Sequence, residues 1–235
     1  MIAIIGGGNV ATHLYEAFKS RTQVCLVNPR TLEGLPDNPE IILISVSDNA
    51  IAELIEKLPQ SNAIIAHTAG SIPIDILKRK FKNTGVFYPL QTFTKGVPLD
   101  YSEIPVFIEG SSYEVVEKLK TIASLVSNIV TEADSEKSKT LHLASVFACN
   151  FTNALAGISY DILKDSEIDF KVLLPLMQQT VSKLREKTPR EAQTGPAVRK
   201  DTKVMEAHLK MLDGSPDKKE IYSLLSDYIV NLSNK

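Results

Sequence analysis

The chain has 235 residues, with 26 basic and 28 acidic side chains and a formal net charge of −2 at pH 7. This balance provides no basic field for nucleic acid, so we expect no nucleic-acid partner. Cys25 and Cys149 are the only cysteines, too few for a thiolate metal site, and we predict no metal and two buried, reduced thiols. No apolar run reaches membrane-spanning length, and no signal-peptide pattern is found, so we expect a cytoplasmic protein without a membrane partner.

The first eleven residues predict a nucleotide site. A short, isoleucine-rich run typical of a buried parallel strand leads into Gly6-x-Gly8-x-x-Ala11, where a helical apolar stripe begins. Strand, glycine turn and helix form the context of the dinucleotide fingerprint. Gly6 permits the tight turn, Gly8 leaves room for a diphosphate, and Ala11 keeps the helix close to the sheet. The helix N-terminus, with Asn9 and Val10, would face the phosphates; the alternative is an ordinary glycine-rich turn.

The second strand, predicted at 22–27, ends at Asn28, where NAD-binding proteins of this type carry an acidic residue for the adenosine ribose. Arg30 and Thr31 follow. A carboxylate would repel a 2′-phosphate, whereas a guanidinium binds it through two parallel hydrogen bonds. We therefore predict NADP, held by Asn28, Arg30 and Thr31; the alternative is an exposed turn.

The rest of the first half alternates strands with helices. The segment 31–40 is too short for a crossover helix, so this part of the fold is abbreviated. Helices are predicted at 48–58, capped by Asp48, and at 113–126. The remaining strands are predicted at 41–46, 63–67, 85–88, 104–108 and 127–130. This alternation indicates an α/β fold with a Rossmann-type doubly wound parallel sheet.

Strand ends supply the other predicted cofactor contacts. The carboxyl ends of parallel strands meet at one edge of a sheet, where ligands bind in such folds. We therefore expect four strand-end residues beside the cofactor: Ser45, Val46, Ser47 and His67. For His67, a histidine satisfied by the backbone is the alternative.

After residue 131 no strand signal returns, and the pattern becomes helical. Helices are predicted at 135–163 with Ser135 as N-cap, at 169–187 with a kink at Pro175, at 201–212 and at 216–232. We therefore predict two domains, a nucleotide-binding domain at 1–131 and an all-helical substrate and dimerisation domain at 132–235.

Six sequence blocks carry a family resemblance. They are Gly6-Gly7-Gly8-Asn9-Val10-Ala11, Ser45-Val46-Ser47-Asp48, His67-Thr68-Ala69-Gly70-Ser71, Tyr88-Pro89-Leu90-Gln91, Asn150-Phe151, and Thr194-Gly195-Pro196 through Arg199-x-Asp201 to His208. The last five resemble a bacterial group assigned as NADP oxidoreductases, with a Rossmann-like N-terminal domain and an uncharacterised helical C-terminal domain. More widely, the first block and the all-helical second half are similar to pyrroline-5-carboxylate reductase and the 6-phosphogluconate dehydrogenase-like superfamily. The resemblance implies NADP-linked redox chemistry and a dimer built through the helical domains, but no substrate. Tyr88 and Ala69 depart from it, since histidine and often serine are expected there.

The long predicted helix carries a polar stripe at i, i+3 and i+4 spacing, made by Lys139, His142, Val146, Asn150 and Asn153. The stripe is either a substrate face or a polar seam between domains or protomers. On the first reading, His142 or Lys139 supplies a proton and Asn150 binds a polar group of the substrate. If the stripe is structural, Tyr88 or His67 is the next candidate for the proton source.

We therefore predict hydride transfer between NADP(H) and a small carbonyl or imine compound. One alternative is an NADP-binding sensor or scaffold without turnover. The other is a Rossmann methyltransferase, which would favour an acidic residue at the position of Asn28.

The same helix predicts a homodimer. Its apolar residues are too many to face one small domain: Leu141, Leu143, Ala144, Phe147, Phe151 and Leu155.

Overall fold

The computed structural model describes residues 1–164 and 166–233. The chain divides into two compact units, Met1–Asn150 and Phe151–Lys235. The first unit is α/β and includes the first half of the long helix, and the second unit is helical. The domain boundary at residues 131 and 132, drawn from the change of sequence pattern, stays a prediction.

The first unit is built on a seven-stranded sheet in the order β2-β1-β3-β4-β5-β6-β7. Its strands are β1 Ile2–Ile5, β2 Val24–Val27, β3 Ile41–Ile44, β4 Ile64–His67, β5 Thr84–Pro89, β6 Val106–Gly110 and β7 Val130–Glu132. β1 pairs in parallel with both β2 and β3, because the chain crosses back over β1 after β2. The predicted fold class is confirmed, and the order of the strands reverses at β1.

Helices cover both faces of this sheet. They are α1 Asn9–Phe18, α2 Asp48–Lys57, α3 Asp75–Lys78 and α4 Tyr113–Ala123. Alternate residues of β1 are buried on opposite faces of the sheet. Ile2 and Ile4 pack with α1 and α4 on one face, and Ala3 and Ile5 pack with α2 and α3 on the other. The continuous apolar run of β1 follows from burial on both sides.

One strand pairing differs from the prediction of a parallel sheet. β6 runs antiparallel to β5, and β7 then pairs in parallel with β6. The reason lies in the connection, because residues 90–105 form a loop with a single 3₁₀ turn, Tyr101–Glu103, in place of a crossover helix. Pro89 at the end of β5 pairs with Val106 at the start of β6, so this loop returns at the same edge of the sheet and the chain runs back along β5. As predicted, the described residues between β2 and β3 also form no helix.

The N-cap of the long helix is Asp134, one residue before the predicted cap Ser135. The Asp134 carboxylate accepts a hydrogen bond from the Lys137 backbone, and the Ser135 hydroxyl instead donates to Glu109. The helix consists of α5 Ser135–Ser145, a π-helical segment Val146–Phe151 and α6 Thr152–Lys164. Contrary to the expectation from the sequence, one of the described helices, Ser135–Lys164, has the length and composition that would cross a membrane, with a mean hydropathy of 1.3 in its most apolar window. None of that window is buried, so the helix carries an apolar surface.

The second unit continues with a 3₁₀ turn Phe170–Leu173 and the helices α7 Leu174–Lys183, α8 Thr202–Met211 and α9 Pro216–Ser233. The kink predicted at Pro175 is wrong, because Pro175 lies in the first turn of α7, where its missing N–H costs no helical hydrogen bond. Asp201 caps α8 by accepting a hydrogen bond from the Val204 backbone.

The second unit has almost no core of its own. Within its described residues, Ala197 is the only buried apolar side chain. Large apolar side chains on its helices are exposed instead, including Leu176, Val181, Met211, Leu224 and Tyr228. An exposed apolar surface of this extent is typical of an interaction face.

Candidate functional site

A cleft of about 870 Å³ opens at the carboxyl edge of the sheet, and we call it the main cleft. Four loops line it, those after β1, β2, β3 and β4, together with residues along the whole length of α2, from Asp48 to Lys57. After β1 the chain continues to β2 on one side, and after β3 it continues to β4 on the other side. The point between β1 and β3 is therefore the topological switch point of the sheet. Ligands of open α/β sheets bind at such a point.

The three glycines after β1 have different roles. Gly6 has a φ of +157°, and a Cβ there would overlap the Ser45 carbonyl, so this glycine allows the ends of β1 and β3 to approach. A Cβ at Gly7 or Gly8 would meet no atom within 4 Å. Gly7 and Gly8 both line the main cleft, where they present bare backbone. This cradle fits a diphosphate, which needs close access to backbone N–H groups.

The N-terminus of α1 also suits a diphosphate. Gly8 is its N-cap, and no side chain among the described residues caps the helix. The N–H groups of the first turn therefore keep their hydrogen-bonding capacity, next to the positive end of the helix dipole. Asn9 and Val10 line the main cleft, although the Asn9 amide donates to the Phe93 carbonyl. Ala11 is fully buried against the sheet, as its position in the motif predicts.

The turn after β2 holds the predicted 2′-phosphate residues. Arg30 is exposed and lines the main cleft with Pro29. The Asn28 side-chain oxygen accepts hydrogen bonds from the backbone N–H groups of Arg30, at 2.8 Å, and Thr31, at 3.4 Å. Asn28 thus shapes the turn that presents Arg30, while the Thr31 hydroxyl accepts from the Glu33 backbone. Of the three, Arg30 is the residue that the structure places at the cleft.

The strand ends contribute in unequal ways. Ser45, Val46 and Ser47 line the main cleft, and the buried Ser45 hydroxyl accepts a hydrogen bond from Thr68. His67 is fully buried and lines neither cavity described here; its Nδ1 accepts from the Ala69 backbone at 3.3 Å. Burial lowers its pKa from 6.5 to about 4, against smaller opposing effects of nearby backbone groups and the Asp48 carboxylate. The prediction of cofactor contact by His67 is not supported by this position.

A second cavity of about 460 Å³ adjoins the main cleft, and we call it the side cavity. The two share four lining residues, Val10, Asp48, Thr68 and Ala69. Asp48 was predicted to cap α2, but Ser47 is the N-cap, and the Asp48 carboxylate accepts a hydrogen bond from the Ser71 hydroxyl. A dinucleotide in the main cleft would therefore have room for a small second molecule beside it.

The predicted stripe of α5 is only partly at this cavity. His142 and Asn150 line the side cavity, as does Cys149. Cys149 and Cys25 are both half-buried, whereas the sequence predicted buried thiols. Lys139 is exposed, lines neither cavity and forms an ion pair with Glu136 at 2.8 Å.

The side cavity also contains Tyr88, the secondary candidate for the proton source. Tyr88 lies on its wall, with Oη 3.4 Å from His142 Nδ1. Its place near the end of β5, which runs parallel to β4 and ends at the same edge of the sheet, brings it to the site. Pro89 through Phe93, in the loop that follows, line the cavity as well.

Strand order, glycine cradle and uncapped helix together define a protein of the Rossmann dinucleotide-binding class. Residues 104–229 match the family model described as a domain of unknown function, DUF2520. The chain is also 39% identical to a putative NADP oxidoreductase from Bacteroides fragilis, with 98% of this chain and 97% of that chain covered and a TM-score of 0.91. The chain belongs to this family, and the resemblance stated from the sequence is confirmed.

More distant structures share the fold. An imine reductase from Myxococcus stipitatus in complex with NADP⁺ is 14% identical, with 98% of this chain and 92% of that chain covered and a TM-score of 0.60. Pyrroline carboxylate reductase from Plasmodium falciparum with NADP bound is 10% identical, with 99% of each chain covered and a TM-score of 0.61. No curated protein sequence matches the chain.

Proposed function

We propose that this protein is an NADP-dependent oxidoreductase that transfers a hydride between NADP(H) and a small carbonyl or imine compound. The observation that carries the proposal is the continuity of the two cavities. A dinucleotide-sized cleft with a bare glycine cradle opens directly into a smaller cavity that presents polar and ionisable side chains. Membership in the family of a putative NADP oxidoreductase, at 39% identity, supports it.

The residues of the main cleft would hold the cofactor. The backbone of Gly7 and Gly8 and the start of α1 would bind the diphosphate, and Arg30 the 2′-phosphate. Bound NADP(H) supplies or accepts the hydride, while the protein provides orientation and a proton.

The substrate would occupy the side cavity. Its volume of about 460 Å³ and its polar residues suit a small carbonyl or imine compound. Asn150 would bind the polar group of the substrate, and His142 would take part in proton supply. Lys139, the other predicted proton source, is held by Glu136 outside the cavity and is the weaker candidate.

We further propose that the protein is a cytoplasmic homodimer formed through its helical part. The second unit leaves its apolar side chains exposed, and a second copy offers the same surface in return, as an isologous interface requires. In the first unit, the side chains of Leu143 and Phe147 on the long helix are exposed as well.

The test begins with fluorescence titration of cofactor-free protein by NADPH, NADH and S-adenosylmethionine. We expect NADPH to bind most tightly. A screen of small keto acids, aldehydes and cyclic imines, read by NADPH absorbance, follows. Oxidation of NADPH that depends on one of these compounds supports the proposal. Tight NADPH binding without turnover across the panel would favour a sensor, and preferential binding of S-adenosylmethionine would favour a methyltransferase.

A further inference from the structure

Tyr88 is a buried phenol with its hydroxyl beside the side cavity. The residue lies in β5, all of which is buried, and is 8% exposed. Its ring lies near the Phe107 ring, at a centroid distance of 6.4 Å, and against the backbone of Gly70. Packing on these sides fixes the ring, so the direction of the hydroxyl is set before any substrate arrives.

The hydroxyl meets an imidazole that is open to solvent. Tyr88 Oη and His142 Nδ1 are 3.4 Å apart, and His142 is exposed. A neutral imidazole accepts a hydrogen bond from a tyrosine hydroxyl at an unprotonated ring nitrogen and keeps a second nitrogen for water. The pair therefore connects a buried proton to solvent.

Burial raises the pKa of Tyr88 above the usual value of 10, and the Ser145 hydroxyl opposes the shift only in part. Its hydroxyl therefore carries a proton throughout the physiological pH range. A phenol that stays neutral at physiological pH can give a proton to a group that becomes basic as it is reduced.

We propose that Tyr88 is the proton donor of the reduction and that His142 returns the proton from solvent; this rests on the proposed function. As the carbon of the C=N or C=O group gains a hydride, a C–H bond forms, and its nitrogen or oxygen takes the proton as the Tyr88 O–H bond breaks. His142 takes up a second proton from solvent and becomes an imidazolium, whose Nδ1–H then gives its proton to the phenolate and leaves a neutral imidazole with its proton on Nε2. Each turnover thus consumes one hydride and one solvent proton.

Other ionisable groups fit this role less well. Lys139 is in an ion pair outside the cavity, and His67 lines neither cavity. The Asp48 carboxylate lines the side cavity but already accepts a hydrogen bond from Ser71.

The chain offers a matched control. Tyr101 Oη lies 2.8 Å from His13 Nδ1, which makes a second tyrosine–histidine pair in the same unit. This pair lines neither the main cleft nor the side cavity. Tyr88→Phe and Tyr101→Phe therefore each remove a tyrosine hydroxyl that contacts a histidine, the first inside the site and the second outside it.

The first measurement needs no substrate. Nitrogen NMR of the histidine rings in the cofactor-free protein should show that Tyr88→Phe moves the His142 Nδ1 resonance, while Tyr101→Phe moves that of His13 only. An unmoved His142 resonance in Tyr88→Phe would overturn the proposal whether or not the protein is a reductase.

The second measurement uses the reductase reaction. Tyr88→Phe should lower kcat by roughly 10²–10⁴, the usual value of general acid help, with NADPH affinity within a few fold of wild type. The fall of kcat at alkaline pH, where Tyr88 ionises in the wild type, should disappear in this variant. Tyr101→Phe should retain kcat. If the wild type reduces a substrate and Tyr88→Phe does so equally well, Tyr88 is not the donor and the proposed function stands. If NADPH binds and no compound is reduced, the proposed function and the donor role fail together.

Discussion

The ring of Tyr88 lies directly on the backbone of Gly70, so closely that a Cβ at residue 70 would overlap the ring. The glycine after β4 and the tyrosine of β5 therefore depend on each other. Both line the side cavity, so a change at Gly70 also changes the direction of the Tyr88 hydroxyl.

Gly70→Ala should destabilise the fold and displace Tyr88. Overpacking of this kind costs about 1–3 kcal/mol, measured as the free energy of unfolding in urea. Gly157→Ala is the control, since Gly157 is helical and a Cβ there meets no atom within 4 Å. That change should stabilise the protein by about 0.5–1 kcal/mol, the helix preference of alanine over glycine. Equal stability of Gly70→Ala and wild type would contradict the packing described.

Gly8→Val should abolish NADPH binding and leave the fold intact. The φ of Gly8 is −81°, which valine adopts, and the new side chain would extend from a Cβ position that is open and beside the cleft. Isothermal calorimetry measures the affinity and circular dichroism the fold. Gly6→Ala should do the reverse and damage the fold, because its Cβ overlaps the Ser45 carbonyl. A folded Gly8→Val protein with normal NADPH affinity would place the diphosphate elsewhere.

Arg30→Ala should weaken the binding of NADPH and leave the affinity for NADH nearly unchanged. Loss of a charge-assisted contact costs about 1.5–3 kcal/mol, which is roughly a ten- to hundredfold loss of affinity. Arg79→Ala is the control, since Arg79 is exposed and lines neither cavity. Titration of each variant with both cofactors measures the effect. If Arg30→Ala weakened the binding of NADPH and NADH equally, the assignment of Arg30 to the 2′-phosphate would be wrong.

His67 should make the protein acid-sensitive between pH 6.5 and about 4. Burial lowers its pKa from 6.5 to about 4, so in this range the unfolded chain binds a proton that the folded protein does not. The free energy of unfolding therefore falls as pH falls through this window, by up to about 3 kcal/mol from this residue. Urea titrations across pH should show a smaller slope for His67→Asn than for wild type. An unaltered slope in His67→Asn would contradict the assignment.

The apolar surface of the second unit should hold two copies together. Light scattering at micromolar concentration should give the mass of a dimer for the wild type. Leu224→Glu adds a charge to an exposed leucine of α9 and should shift the mass towards the monomer. Tyr113→Glu is the control, since Tyr113 is exposed on the first unit and should not alter the mass. A monomeric wild type would rule out this interface, and a lipid-dependent state would indicate a membrane instead.

Sequence reasoning located the site where one local pattern determined the structure. Gly6 to Ala11 could be interpreted because strand, turn and helix are adjacent in sequence. The antiparallel β6 could not be predicted, because its direction depends on a loop that lacks periodicity. Pro175 suits both a kink and a first helical turn, so the sequence alone did not distinguish them. Helical spacing placed Lys139 and His142 on one stripe, but only tertiary packing determined that His142 reaches Tyr88 and that Lys139 turns to Glu136.

The lack of a helix between β2 and β3 has a kinetic consequence. In the described structure, residues 28–40 cross back over β1 as turns, so no helix packs over the strand end beside Arg30. The adenosine half of a bound dinucleotide would then contact the turn at Arg30 and α2, with no helix of the β2–β3 connection over it. Little apolar area would be lost when that half leaves, so we expect rapid dissociation. Such a protein would exchange NADP⁺ for NADPH between turnovers, and its bound fraction would follow the cellular ratio of the two forms.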